Sequence, residues 1–475
     1  DIFRKVLGDY PSNLLRNKLK ARNKSVIKYT VQYNETNFQF LSRMAAEYGE
    51  WFYYNGKELL LGKEETNEVE FLIDGVQSFD MAIELNPTKF RLAAYDYTKH
   101  QDYTEEPSGS VEGLSDLGKF ALKQSENLFT NKSELESTKP IFNASEISEF
   151  GKYKRAVSAS KLIEFKGSGE LPEISVGTVI TVKGNMPEKG GRSRSQDFGK
   201  YLITKVTHTV DSSGNYSNSF HALPESVNYP PPNPYVQHPI GQTELAKVVD
   251  NKDPDNLGRV KVQFMWPVND NQSDWIRVST FYSGGSDCQG MFFVPEVDAQ
   301  VMVDYELNHP EYPYIVGSVY PNRGSVRKAA DNNKEKFFYT QGGNQIYIDD
   351  TDRAAKIEIT NVNKTDTAIT LLFDGSSPKV TIKTSGDIEV NADKNIDIKA
   401  TQKLTLQGQD VEIKATTSLL CDGGQKSTVK GMEIKVDAGT NATVNANAQA
   451  KISSKLTEVS ASSVMTVKGK LVKIN

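Results

Sequence analysis

Cysteine is nearly absent. The 475 residues hold only Cys288 and Cys421, far apart and without a CxxC or a paired histidine, which excludes a disulfide framework and a zinc finger. Both read as reduced, buried filler. Long apolar runs are missing too: no stretch of about eighteen apolar residues occurs, and Asp1 to Tyr10 show no basic region followed by an apolar core. Neither a spanning helix nor a signal peptide is read. A surplus of one charge is lacking as well, because 56 Lys and Arg against 61 Asp and Glu leave a formal net charge of −5. That gives no electrostatic footprint for nucleic acid. Histidine is scarce, and the five present, His100, His208, His221, His238 and His309, have no HxxxH or HExxH spacing and read as structural or surface residues. No GxSxG occurs, and Gln341-Gly342-Gly343-Asn344 lacks the lysine and helix of a phosphate loop, so it reads as a turn. No catalytic residue, cofactor or metal site is expected.

What is present can fold. Hydrophobic residues make up 37% and charged residues 25%, and the length suggests roughly three domains. The opening Asp1-Ile2-Phe3-Arg4-Lys5-Val6-Leu7 reads as the inside of an amphipathic helix, from which a missing natural N-terminus is expected. Thr36 and Gln39 have capping-box spacing, and Phe40, Leu41, Met44, Ala45 and Tyr48 recur at helical intervals up to Gly49. Trp51-Phe52-Tyr53-Tyr54, Asn55-Gly56 and Leu59-Leu60-Leu61 then spell a β-hairpin. Leu117–Phe129 and Ile147–Phe165 look helical, whereas Thr178–Val182 and Tyr201–Thr207 alternate like strands, so this α+β segment is expected to span residues 1–235. Gly190-Gly191-Arg192-Ser193-Arg194-Ser195 reads as a loop, and the run Tyr229-Pro230-Pro231-Pro232-Asn233-Pro234 marks the first boundary.

Residues 236–325 carry short, evenly punctuated strands at Leu245–Val249, Gly258–Phe264, Trp275–Ser279, Met291–Val294, Gln300–Tyr305 and Tyr314–Val319, which suits a small OB-type barrel. Nucleic-acid binding by such a barrel needs aromatics stacked beside cations. Trp266 and Trp275 stand near Arg259, Lys261 and Arg277, but Asp250, Asp253, Asp255, Asp270 and Asp274 offset them, and core packing with turn chemistry is the preferred reading.

Residues 326–475 form the third expected domain. From Val380 onward apolar residues come in x, x+2 pairs repeating every eight or seven residues. The pairs are Val380/Ile382, Ile388/Val390, Ile396/Ile398, Leu404/Leu406, Val411/Ile413 and Leu419/Cys421, then a weak Ser427/Val429. They resume with Ile434/Val436, Ala442/Val444, Ala450/Ile452, Thr457/Val459, Met465/Val467 and Val472/Ile474. Each pair places two side chains on one strand face, and the polar residues between them suit turns. A repeat this small cannot bury its own apolar face. Two architectures satisfy that requirement: a single-chain solenoid, and a prism in which each of three chains supplies one wall. Burial of each apolar side chain contributes about 1.5 to 3 kcal/mol in either. A sugar-cleaving β-helix would need two carboxylates at a set separation. Asp374, Asp387, Asp393, Asp397, Asp410 and Asp422 mostly flank turns instead.

Three features resemble the valine-glycine repeat protein G family (VgrG), the spike of type VI secretion, itself similar to phage tail hubs and needles. They are Val31-Gln32-Tyr33-Asn34-Glu35-Thr36-Asn37-Phe38-Gln39-Phe40-Leu41-Ser42-Arg43 before Gly49; Asp253-Pro254-Asp255-Asn256-Leu257-Gly258-Arg259-Val260-Lys261-Val262 with Gly290–Val297 and Pro313–Tyr320; and the terminal repeats. The resemblance implies a non-enzymatic homotrimer with a hub, an OB collar and an intertwined β-prism (triple-stranded β-helix). Its prism core would be Ile388, Val390, Ile396, Ile398, Leu404, Leu406, Val411, Ile413, Ile434 and Val436. It further implies an Hcp tube at the hub base, baseplate proteins, effectors, and a PAAR-repeat tip protein docked on Leu471, Val472, Ile474 and Asn475. Residence in the bacterial cytoplasm before firing and secretion afterwards would follow. The family's usual β-rich opening is expected to be truncated here, and its occasional terminal toxin domain absent, leaving toxicity to cargo. A phage or extracellular-particle spike shares the architecture.

Overall fold

The computed structural model describes residues 1–64, 67–73, 75–187, 193–268, 271–284, 289–320, 333–373 and 375–474. Two compact units divide at Thr381/Ile382.

The first unit opens with helix α1 (Ile2–Leu7), whose Leu7 packs against helix α2 (Asn37–Tyr48). Helix α2 has the expected ends. Thr36 and Gln39 form the capping box, and Gly49 closes it at φ 68°, a conformation that favours glycine. The hairpin follows, with Phe52–Tyr54 antiparallel to Leu59–Leu61, and Asn17–Leu19 adds a parallel third strand. Helix α3 (Asp116–Leu128) and helix α4 (Ala144–Ser160) pack through Ala121, Leu122 and Ala159.

The helix expected to reach Phe165 ends at Ser160, and Ile163–Gly169 is a strand. Ile163, Phe165, Gly167 and Gly169 alternate inward there, so period 2 replaces period 3.6 within three residues of the helix end. Gly167 is fixed by contact: a Cβ at that position would lie 2.3 Å from the Phe220 ring. This strand joins a six-stranded sheet ordered Glu68–Ile73, Val179–Pro187, Ser193–Val210, Tyr216–Pro224, Ile163–Gly169, Ser78–Ile83. Its core holds Phe71, Phe165, Ile180, Val182, Ile203 and Phe220. Of the loop expected at 190–195, residues 190–192 lie outside the described residues, while Ser193 to Ser195 belong to a strand.

No helix or strand occurs from 225 to 243, as the proline run requires. The barrel strands are ordered Lys261–Phe264, Glu244–Asp250, Gln300–Tyr305, Pro313–Val319, Arg277–Val278. A bridge between Val260 and Ile276 joins the two ends. Ala246, Val248, Val260, Val262, Val301, Val303 and Ile315 fill the centre, each with no exposed surface. Met291–Val294, expected as a strand, pairs with none. It follows the short ladder of Ser283–Gly284 with Gln289–Gly290, and Phe292 and Phe293 are exposed. Asp270 and Cys288 lie outside the described residues, so the second cysteine carries no observation, whereas Cys421 is exposed rather than buried.

Residues 335–383 form a five-stranded antiparallel meander, Glu335–Tyr339, Asn344–Asp349, Lys356–Asn361, Lys364–Leu372 and Lys379–Lys383. The turn read at Gln341–Asn344 links its first two strands, with the Gly343 N–H donating to Thr340 O. The first four of these strands precede the short repeat and the fifth carries its first pair, Val380/Ile382, so the segment assigned as one domain from 326 holds two kinds of structure.

In the second unit, bends fall at 385–386, 393–394, 401–402, 409–410, 416–417, 439–440, 447–448 and 462–463. The pairs from Ile388/Val390 to Met465/Val467 each lie between consecutive bends or turns, as the repeat requires. Among the described residues 384–474 no strand is paired within the chain.

Candidate functional site

Two apolar surfaces are largely uncovered among the described residues, the second touched at Phe338 by the ring of Phe293, centroids 6.5 Å apart. The repeats present the larger one. Ile396, Leu404, Val411 and Ile434 are each exposed by more than half, and Ile398, Leu406, Ile413 and Val436 by more. Ile388 and Val390 are likewise exposed, and every described residue from 385 to 474 is exposed. Side chains of this kind in water forgo the burial that stabilises folded chains. Leu471, Val472 and Ile474 are also exposed, and Asn475 lies outside the described residues. Of the carboxylates weighed for sugar chemistry, Asp387, Asp393, Asp410 and Asp422 are exposed at or close to bends or turns, Asp397 is exposed between Ile396 and Ile398, away from any bend, and Asp374 lies outside the described residues.

The meander presents the second surface. Phe338 stands opposite Ile346, Ile346 opposite Ile359, and Ile359 opposite Ile369, giving one row across four strands. Ile348, Ile357 and Leu371 make a parallel row two residues along. Both rows lie on one face, and Phe338, Ile346, Ile359 and Ile369 are exposed by 41 to 54%. Hydrophobic alternation from Phe338 to Leu371 carried this signal in the sequence, masked by the stronger repeat that follows.

Charged chemistry concentrates elsewhere, at the joint between hub and barrel. Arg43 on α2 is buried, and its guanidinium grips Glu35 at 2.8 and 2.9 Å. The same group reaches Glu47 and Glu311 at 3.2 Å each. Glu311 comes from the barrel, and the Thr30 hydroxyl donates to it at 2.6 Å. Burial, then the charge of Glu47, push the Glu311 carboxyl above its ordinary pKa. Burial also works against the Glu47 carboxylate. The hydrogen bond from His238 and the charge of Arg43 outweigh it and hold Glu47 below the usual value.

Each of the five histidines contacts a neighbouring side chain. His100 contacts the Tyr95 hydroxyl at 2.7 Å, His208 the Tyr216 hydroxyl at 2.6 Å, and His221 Glu164 at 3.4 Å. His238 Nδ1 lies 3.4 Å from Glu47 Oε1. His309 packs edge-to-face on the Tyr312 ring, centroids 4.9 Å apart, and accepts a long hydrogen bond from the Glu311 N–H, at 3.3 Å to Nδ1. Burial pushes the pKa of His309 below the ordinary imidazole value, assisted by the charges of His238 and Arg43 against that of Glu47. In the barrel, Trp266 stacks on Phe264 and donates to Glu244 at 2.6 Å, while Arg259 is held by Asp253 and Asp255. Those side chains serve packing and turns.

Comparison with known proteins follows the same divisions. Residues 1–214 match the phage tail baseplate hub (GPD) family, and residues 244–320 match the type VI secretion system/phage-baseplate injector OB domain. The type VI secretion system spike protein VgrG5 of Pseudomonas aeruginosa is 23% identical over 384 residues, covering 68% of this chain and 45% of its own length. Spike protein VgrG1a of the same organism is 23% identical, covering 62% and 48%. The chain is VgrG-like. Its match spans about half the length of these curated relatives. A further relative, the actin cross-linking toxin VgrG1 of Vibrio cholerae, is 30% identical over 22% of this chain and 10% of its own.

Among solved structures, the E. coli c3393 protein, a component of the type VI secretion system, is 17% identical over 67% of this chain and 70% of its own, with a TM-score of 0.41. A Francisella PdpA-VgrG complex, half-lidded, covers 78% and 66% at 10% identity with a TM-score of 0.45. The fold is mainly β with an α+β hub and an OB-type barrel, and among the described residues no helix is long and apolar enough to cross a membrane.

Proposed function

We propose that the chain is the homotrimeric puncturing spike of a contractile injection system of the type VI kind, a mechanical part with no catalytic step. One observation carries the reading: behind a matched hub and a matched injector barrel stand regular repeats whose apolar pairs are exposed and which, among the described residues 384–474, form no paired strand within the chain. Three copies wound about a common axis would cover those pairs and complete the ladders, so that axial force would have to break many contacts together.

On this reading residues 1–235 are the hub, 236–325 the collar, and 326–475 the neck and needle. The meander's apolar rows would close against the other two copies at the neck, and Ile388 to Val436 would line the axis. The hub would sit on an Hcp-type tube among baseplate proteins, and a PAAR-type tip protein would rest on Leu471, Val472, Ile474 and Asn475. Effectors would ride on this assembly and leave the cell with it. The hub match to a phage family favours a phage or extracellular particle as second reading, which the neighbouring genes decide.

The test is the solution mass by light scattering, before and after strong detergent at room temperature. A detergent-resistant mass near three times the 52.8 kDa of the chain is expected. A stable monomer would overturn the trimer and favour a single-chain solenoid.

A further inference from the structure

We propose that Glu47, His238 and His309 form a binding site for one divalent cation of the zinc class, fastening the hub helix to the barrel. The three residues come from α2, from the segment after the proline run, and from the turn after barrel strand Gln300–Tyr305. Sequence spacing gave no sign of them, because the fold alone brings 47, 238 and 309 together.

The geometry suits a small cation. One ligand-type atom of each residue lies within 4.8 Å of the other two. The His238 Nδ1 to Glu47 Oε1 separation is 3.4 Å, close to the roughly 3.3 Å between two ligands held about 2.0 Å from a tetrahedral zinc. His309 Nε2 is buried with no hydrogen-bond partner among the described residues, and a buried nitrogen of that kind is ordinarily satisfied. Two imidazoles and one carboxylate, with water in a fourth position, match the donor preference of zinc, cobalt and nickel over calcium or magnesium. The His238 side chain is 47% exposed, so an ion has a way in.

Charge supplies an independent argument. Arg43 faces Glu35, Glu47 and Glu311, and all four side chains are at most 7% exposed. Three carboxylates face one guanidinium in the interior, and of the nearby lysines Lys139 and Lys154 feel the charge of Glu47, so a further cation beside Glu47 is electrostatically favoured. A divalent cation held by two neutral imidazoles adds positive charge at that place. His221 and Glu164 show the same 3.4 Å contact, but no third ligand-type residue joins them among the described residues. One rearrangement is required. Binding at Nε2 places the imidazole proton of His309 on Nδ1, so the 3.3 Å contact from the Glu311 N–H must open. That contact is long for a hydrogen bond and costs little to lose.

The test uses the tag-free full chain, stripped with chelator and titrated with Co2+ alone. One cobalt per chain, with the visible absorption of four-coordinate cobalt and displacement by Zn2+, is the expected result. His238→Gln and His309→Gln should each weaken binding on the order of 100-fold or more. Zinc should raise the melting temperature of the unmodified chain and leave both variants unmoved. His238→Gln, at a partly exposed position, keeps the test decisive where His309→Gln fails to fold. Absence of cobalt binding at micromolar concentration, or binding unchanged by His238→Gln, overturns the site. Because the three ligands come from one chain, the result does not depend on the trimer.

Discussion

Arg259 shows how one buried charge organises a turn. Its guanidinium donates to the two oxygens of Asp253 at 2.9 and 2.7 Å and to Asp255 at 2.6 Å. Asp253 also accepts from the N–H groups of Asp255, Leu257 and Arg259. The Arg259 hydrogen bond holds the Asp253 carboxyl far below the usual carboxylate range. Asp253→Asn leaves the buried guanidinium with only the exposed Asp255 as anion, and should cost about 3 kcal/mol. The sign of its pH dependence is fixed. A depressed pKa contributes stability above the unfolded value, near 3.8, and loses it as pH falls through the folded value. Urea unfolding should therefore show a constant gap between wild type and variant from neutral pH down to about pH 4, narrowing below it. A gap that persists undiminished at pH 2 would assign the cost to packing rather than charge.

At the scale of elements, what was legible depended on how local the determinant is. Helix α2 was readable to its ends because Thr36, Gln39 and Gly49 are all in the sequence beside it. The barrel was readable because its strands alternate and its turns are punctuated, except at Met291–Val294, whose apolar run has no strand to pair with. Ile163–Gly169 was misread because a helix and a strand meet within three residues and share apolar composition. The burial of Arg43 and Glu47 has no local signal, because one of the groups packed on Arg43, Glu311, arrives from the barrel 268 positions away. The repeats were legible as strand and turn, but not as solenoid or prism, since periodicity is a property of one chain and closure is not. Ile396→Asp or Ile398→Asp separates these possibilities. Either change would set three carboxylates close together on a shared axis, where desolvation and repulsion outweigh the remaining contacts. Loss of the trimer in light scattering is expected, with the hub and barrel still folded by circular dichroism. A variant that remains trimeric and detergent-resistant would remove Ile396 and Ile398 from the core.

For the whole molecule, the proposed work of the spike is to carry force along its length and present a tip, which separates two roles for residues 471–475. Leu471, Val472 and Ile474 are exposed in the chain, and either of two arrangements would cover them: the other copies, as one more layer of the proposed prism, or a tip protein seated on them. In the proposed trimer the preceding layers would share the cohesion. Removal of one layer among many should lower its stability by a small fraction, because each repeat contacts mainly its neighbours. A docking surface has no such redundancy, since its apolar residues are concentrated in one patch. Deletion of residues 471–475 should therefore abolish capture of a PAAR-type tip protein while the detergent-resistant trimer survives. Loss of both together would make these residues structural only, and retention of tip binding would remove them from the docking surface.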